Sequence, residues 1–101
     1  MSDEDLWNNL KNQFLKQSGV KKQGESLKIN KKMFAQFSKG NFIIKLPKER
    51  VTELKDQGIG QDYDPGNGKI MKEWVIIPKE YGHSWIELTE EAKKFAFSLS
   101  K

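Results

Sequence analysis

From Leu27 to Leu46 apolar side chains return at every second position, a spacing that builds strands and that no helix can gather onto one face. Leu27 and Ile29 alternate with Lys28. Met33, Ala35 and Phe37 alternate with Phe34, Gln36 and Ser38, and Phe42, Ile44 and Leu46 with Ile43 and Lys45. Asn30-Lys31-Lys32 and Ser38-Lys39-Gly40-Asn41 separate the runs, and both are turn chemistry, with Gly40 free to take positive φ. The pattern predicts an antiparallel meander of three strands. Phe34 and Ile43 fall on the face opposite the other apolar residues, which predicts a second face that is partly covered or forms an interface.

On both sides of the meander the period changes to that of a helix. Leu6, Trp7, Leu10, Phe14 and Leu15 form one stripe, opened by Ser2 as N-cap with Asp3, Glu4 and Asp5 in the first turn and closed at Gly19. Val20 to Ser26 is polar and weakly patterned, so a loop or a frayed first strand is expected there. Pro47 suits the first position of a second helix, with Val51 and Leu54 inward and Gly58 at its end. Trp85, Leu88, Ala92, Phe95 and Leu99 form the stripe of a third helix, which starts between Pro78 and Ser84.

Between the last two helices, Asp62-Tyr63-Asp64 reads as a short strand and Pro65-Gly66-Asn67-Gly68 as a tight turn. Ile70 to Ile77 is the most apolar run in the chain, which predicts an inner strand buried on both faces, with Trp74 as a core anchor. The expected fold is α+β: a mainly antiparallel five-stranded sheet flanked by helices, in the order α-β-β-β-α-β-β-α. At 101 residues the chain is expected to form one domain, residues 1–101.

Composition narrows the function classes. With no cysteine the chain has no disulfide, thiolate metal site or cysteine nucleophile, and it fits a reducing compartment. The first residues are acidic where a signal peptide would be basic, and no apolar run approaches the roughly 20 residues that span a bilayer, so a cytoplasmic protein without membrane attachment is expected. The net charge of +4 is unevenly placed: residues 11–50 carry eleven Lys/Arg against Glu25 and Glu49, a local +9. Lys21, Lys22, Lys28, Lys31, Lys32, Lys39 and Lys45 are therefore the candidate face for a nucleic acid. The competing reading is that lysines blunt and solubilise exposed strands.

Catalytic templates fit poorly. Asp62, Asp64 and Glu73 have the outline of a calcium loop, but Gly66 and Asn67 occupy its fifth and sixth positions and Pro65 stiffens it. Gly66-Asn67-Gly68-Lys69 lacks both the upstream glycine of a phosphate loop and its Ser/Thr. His83 is the sole histidine and has no acidic or second histidine pattern beside it. Strand alternation places Lys72 on the face of Trp74, where its ammonium would meet Asp62 or Asp64, with Glu73 on the other face. Phe34, Phe37 and Phe42, interleaved with Lys31, Lys32, Lys39 and Lys45, have the composition of a stacking platform for single strands, although meander aromatics are more often core. No catalytic residue, metal site or cofactor motif is expected.

Leu46-Pro47-x-Glu49-Arg50-Val51, then Asp64-Pro65-Gly66-x-Gly68-Lys69-x-Met71-Lys72-Glu73-Trp74-Val75, then Trp85 and Leu88, resembles the TfoX/Sxy N-terminal domain family. The match runs from about Leu27 to Ala96. It implies the same α-β-β-β-α-β-β-α order, similar to type III secretion chaperones and the YjbR group, and marks Pro47, Asp64, Pro65, Gly66, Gly68, Met71, Lys72, Glu73, Trp74 and Trp85 as motif residues. Members often carry a Met/Phe-Gly motif before the segment matching Leu27-Lys28-Ile29. Here Lys22-Gln23-Gly24-Glu25 stands in that place, so a shortened or displaced first strand is expected. Named members regulate natural competence and carry a second, C-terminal domain, so that role does not transfer with the first domain alone. The function expected is a non-catalytic regulatory module that binds a protein partner or a second copy of itself. The alternative is transcription- or competence-type regulation by nucleic-acid binding through the basic face of residues 11–50.

Overall fold

A computed structural model describes residues 3–64, 68 and 71–99. The expected N-cap Ser2 and the turn residues Pro65, Gly66 and Asn67 lie outside the described residues. The elements are α1 (Asp3–Leu15), β1 (Val20–Gln23), β2 (Ser26–Ile29), β3 (Lys32–Ser38), β4 (Asn41–Lys45), α2 (Lys48–Asp56), β5 (Gln61–Asp62), β6 (Trp74–Ile76), a 3-10 turn at Lys79–Ser84 and α3 (Trp85–Leu99). The class is α+β as expected, but among the described residues the antiparallel sheet has six strands, ordered β1-β2-β3-β4-β6-β5.

The strand beyond the expected five is β1, which takes the frayed-strand alternative for the polar stretch Val20 to Ser26. It is an edge strand with only Val20 buried, so it shows no alternation, and backbone pairing with β2 is what holds it. Three two-residue turns make the meander. Gly24-Glu25 joins β1 to β2 with positive φ at Gly24 only, whereas Asn30-Lys31 (φ 49° and 68°) and Lys39-Gly40 (53° and 80°) are positive at both residues. The latter is the type I′ pattern, whose twist matches that of the strands.

Phe34 does not lie on the second face. The β2–β3 register shifts between Leu27 and Lys28, which leaves Phe34 as an extra residue in β3 and turns it to the same side as Ala35. Both are fully buried, and the Phe34 ring lies 6.1 Å from Phe14 of α1. Ile43 does keep its place on the second face, where it is 1% exposed and paired with Gln36 and Ile76.

The core forms between the sheet and the helices. Trp7, Leu10 and Phe14 of α1, Val51 and Leu54 of α2, and Trp85, Leu88, Ala92 and Ala96 of α3 meet Leu27, Ile29, Ala35, Phe42, Ile44, Leu46, Val75 and Ile77 in one cluster. Aromatic rings run through it in series: Phe37 stacks on Trp7 at 6.0 Å, Trp7 contacts Phe42 at 5.8 Å, and Phe42 stacks on Trp85 at 4.2 Å. The Trp85 indole donates to the carbonyl of Pro78. Phe95 is half-buried and Leu99 44% exposed, because α3 contacts the sheet along Trp85, Leu88, Thr89, Ala92 and Ala96. Pro47 sits one residue before its expected place, with ψ 148°, and its carbonyl accepts the first helical bond, from Val51 N–H.

Polar contacts fix the helices in place. Arg50 grips Glu91 of α3 through two bonds of 3.0 and 3.1 Å and also reaches Glu53. Gln17 donates to Glu90 and accepts from Lys93, which ties the end of α1 to α3. Glu25, in the β1–β2 turn, accepts from the Trp7 indole at 2.7 Å and from Lys11 at 3.4 Å, while Phe37 N–H donates to its carbonyl oxygen. The Trp7 bond, more than the lysine, holds the Glu25 carboxyl below its ordinary value. A depressed pKa stabilises the fold above the unfolded-state value near 4.5 and is lost as pH falls through the lower folded value. Urea midpoints between neutral pH and pH 3 are therefore expected to fall more steeply for the parent chain than for Glu25→Gln, and parallel profiles would show that Glu25 contributes nothing.

Candidate binding face

All three helices feed one side of the sheet. Among the described elements its other side carries no helix, and side-chain alternation decides what that side displays. Lys21 of β1 stands directly opposite Lys28 of β2, and Lys28 opposite Met33 of β3. On β4, Ile43 and Lys45 point the same way, with Lys45 opposite Trp74 of β6 and Ile43 opposite Ile76. The helix-free side thus runs from lysines at the β1 edge to an indole at the β6 end.

The lysine end holds unpaired charge. Lys21, Lys22, Lys28 and Lys31 surround a hollow of about 550 Å³ with Gly19, Gln23 and Asn30. Among the described residues Lys21, Lys28 and Lys31 have no acidic partner within ion-pair distance. Like charges directly opposed across a strand pair destabilise it, by an amount on the order of 0.2–1 kcal/mol. Lys31 adds a second cost, since its left-handed backbone costs a non-glycine residue roughly 1–2 kcal/mol. Lys31→Gly would complete an Asn-Gly type I′ turn. After glycine's own entropic cost it is expected to stabilise the chain by about 0.5–1 kcal/mol, read as a higher urea midpoint; a lower midpoint would contradict this reading of the turn.

The other predicted lysines separate. Lys32 begins β3 opposite Ile29, so it is exposed at the edge of the helix-covered side and not on the side of Lys21 and Lys28. Lys39 lies at the opposite end of the meander, between a hollow shared with Glu4 and Glu25 and another lined by Ile43, Tyr63 and Ile76. Lys45 reaches across β4: its ammonium sits 5.3 Å from the Trp74 ring centre and 3.8 Å from a Glu73 carboxylate oxygen.

Trp74 is not a core anchor. It is half-buried on the helix-free side, with Tyr63 6.5 Å away, while Trp7 and Trp85 are each 1% exposed. Among the described residues the strand expected from Ile70 to Ile77 is regular over Trp74–Ile76, with backbone bonds to β4 and its flank continuing to Glu73 and Ile77, and it is not buried on both faces: Val75 and Ile77 face the helices, Trp74 and Ile76 the open side. Residues 71–74 form a turn instead, closed by Trp74 N–H donating to Met71 O, and Leu46 N–H donates to Glu73 O. Lys72 and Glu73 therefore do not alternate along a strand. Exposed Lys72 lines a hollow with Lys48, Lys55 and Met71, and Lys55, not Lys72, pairs with Asp62 at 2.6 Å. Asp64 is exposed after β5, which ends at Asp62, and Met71 N–H donates to Tyr63 O across the intervening segment. Gly68 has φ +83°, as its turn position required.

The phenylalanine platform is corrected as well. Phe34 and Phe42 are buried among the helices, and Phe37 stacks on Trp7 on that same side. The aromatics on the open side are Trp74 and Tyr63. Their strand pattern was readable, but Trp74 lies in an apolar run, and its exposure follows only from which face the helices cover.

Among the described residues no three His, Asp or Glu side chains gather where they could hold a metal ion, and His83 is exposed in the 3-10 turn. No described helix is long and apolar enough to cross a membrane. Compared with known proteins, the chain matches no family model, no curated protein and no solved structure.

Proposed function

We propose that this protein is a small cytoplasmic, non-catalytic binding module that takes an anionic polymer on the helix-free side of its sheet. The observation that carries this reading is the directly opposed, unpartnered pair Lys21 and Lys28, on the same side as Lys45 and half-buried Trp74. A sheet that keeps like charges together at a cost to its own stability is suited to a ligand that neutralises them. Nucleic acid thus becomes the first reading and a protein partner the second. The second reading has its own support in Met33, Ile76 and Trp74, half-buried on the same side. Self-association through the β1 edge is less favoured, since pairing two such edges brings Lys21 and Lys22 against their own copies. Membership of the TfoX/Sxy-like group is part of the proposal, supported by the motif residues and by an element order that matches once β1 is set aside.

Fluorescence anisotropy with a labelled oligonucleotide tests the first reading. Binding is expected at about 50 mM salt and should weaken steeply by about 200 mM. No binding at the lower salt, together with a dimer or a captured protein in sedimentation, would favour the second.

A further inference from the structure

We infer that the polymer is a single-stranded nucleic acid, with phosphates held at the Lys21/Lys28/Lys31 end and a base stacked on Trp74. This rests on the proposed anion-binding role of the same face and specifies its ligand. The two ends differ in chemistry. At the β1 edge the ammonium groups of Lys21, Lys28 and Lys31 have no acidic partner within ion-pair distance among the described residues, which suits phosphates. At the β6 end Glu73 lies close to Lys45 and offsets its charge, so attraction for a phosphate is weaker there and the exposed feature is a ring. From β1 to β6 the face crosses four strand spacings, or roughly 19 Å. That is the length of about five or six stacked nucleotides at roughly 3.4 Å each.

A duplex fits this surface poorly. Its base faces are already stacked on one another, and the open side has no helix or ribbon among the described elements to enter a major groove about 12 Å wide. A single strand exposes base faces, and stacking on an aromatic ring accepts any base. The Lys45 ammonium now lies over the Trp74 ring. A base stacking there takes its place, and the displaced ammonium is free to meet the adjoining phosphate.

Intrinsic fluorescence isolates the event, because Trp7 and Trp85 are buried and Trp74 is the half-exposed indole. An oligothymidylate of about twelve nucleotides, within common site sizes, is expected to quench the Trp74 contribution, and a hairpin duplex of equal charge to leave it unchanged. Trp74→Phe should remove the quenching while retaining most of the affinity, and Trp74→Ala should weaken binding roughly tenfold or more at unchanged circular dichroism. Equal or tighter binding of the duplex without quenching would overturn the stacking inference and leave the anion-binding role standing. Equal binding of poly-glutamate would overturn the nucleic-acid assignment in the same way. Failure of all three polymers to bind at low salt would overturn both.

Discussion

Trp85→Ala is expected to lower the unfolding free energy by about 3–5 kcal/mol, the usual cost of deleting a buried tryptophan. Trp85 is 1% exposed, stacks on Phe42 at 4.2 Å and places its N–H on the Pro78 carbonyl. Alanine there leaves a cavity at the junction of the 3-10 turn, α3 and β4, and removes one of the two donors to the Pro78 carbonyl, which keeps Tyr81 N–H. Domains of this size are stable by about 5–15 kcal/mol, so the variant should be marginally folded or unfolded at room temperature. Trp74→Ala should cost only about 1–1.5 kcal/mol, since it loses a tilted ring contact and a cation–π contact on a half-exposed side. Urea denaturation of the two variants separates the roles. Equal losses would restore Trp74 to the core and remove the argument that its ring is kept available.

The second large effect concerns binding. In the variant Lys21→Gln/Lys28→Gln/Lys45→Gln the affinity for a single-stranded oligonucleotide should drop roughly tenfold or more at about 50 mM salt. The slope of log K against log salt should become shallower by about 2, near 0.7 for each lost phosphate contact. Stability should not suffer at the β1–β2 pair, where the change removes repulsion between directly opposed like charges. Lys94→Gln is the control. Lys94 is exposed on α3, which covers the other side of the sheet, so its replacement should leave affinity and slope nearly unchanged. Equal effects from both variants would mean that net charge, not this face, governs binding.

The α+β class, the meander and the helical stripes were legible because each depends on a local period. Leu27, Ile29, Phe42, Ile44 and Leu46 face the helices as alternation requires, and Trp7, Leu10 and Phe14 do so from α1. The misreadings have physical causes. A bulge at Phe34 changes the phase of β3 in a way no periodicity reports. Strand β1 gains its place from backbone pairing at an edge, which leaves no apolar trace in Lys21-Lys22-Gln23. Trp74 to Ile77 is a continuous apolar run, so composition could not say that Trp74 faces away from the helices, and Lys72-Glu73 alone did not announce the turn over residues 71–74. For the candidate site, the lysines were visible as a charge excess. Their division into a cluster around Lys21, Lys28 and Lys31, a separate Lys39, and a Lys45 resting on Trp74 depends on strand register and turn position.

The central claim is that the helix-free side of the sheet is the working surface, and NMR titration with an oligothymidylate tests it most directly. Amide shifts are expected to move at Lys21, Lys28, Lys45 and Ile76 and at the Trp74 indole N–H, while the buried indoles of Trp7 and Trp85 stay in place. Shifts confined to α1 and α3, or none at saturating oligonucleotide and low salt, would contradict it.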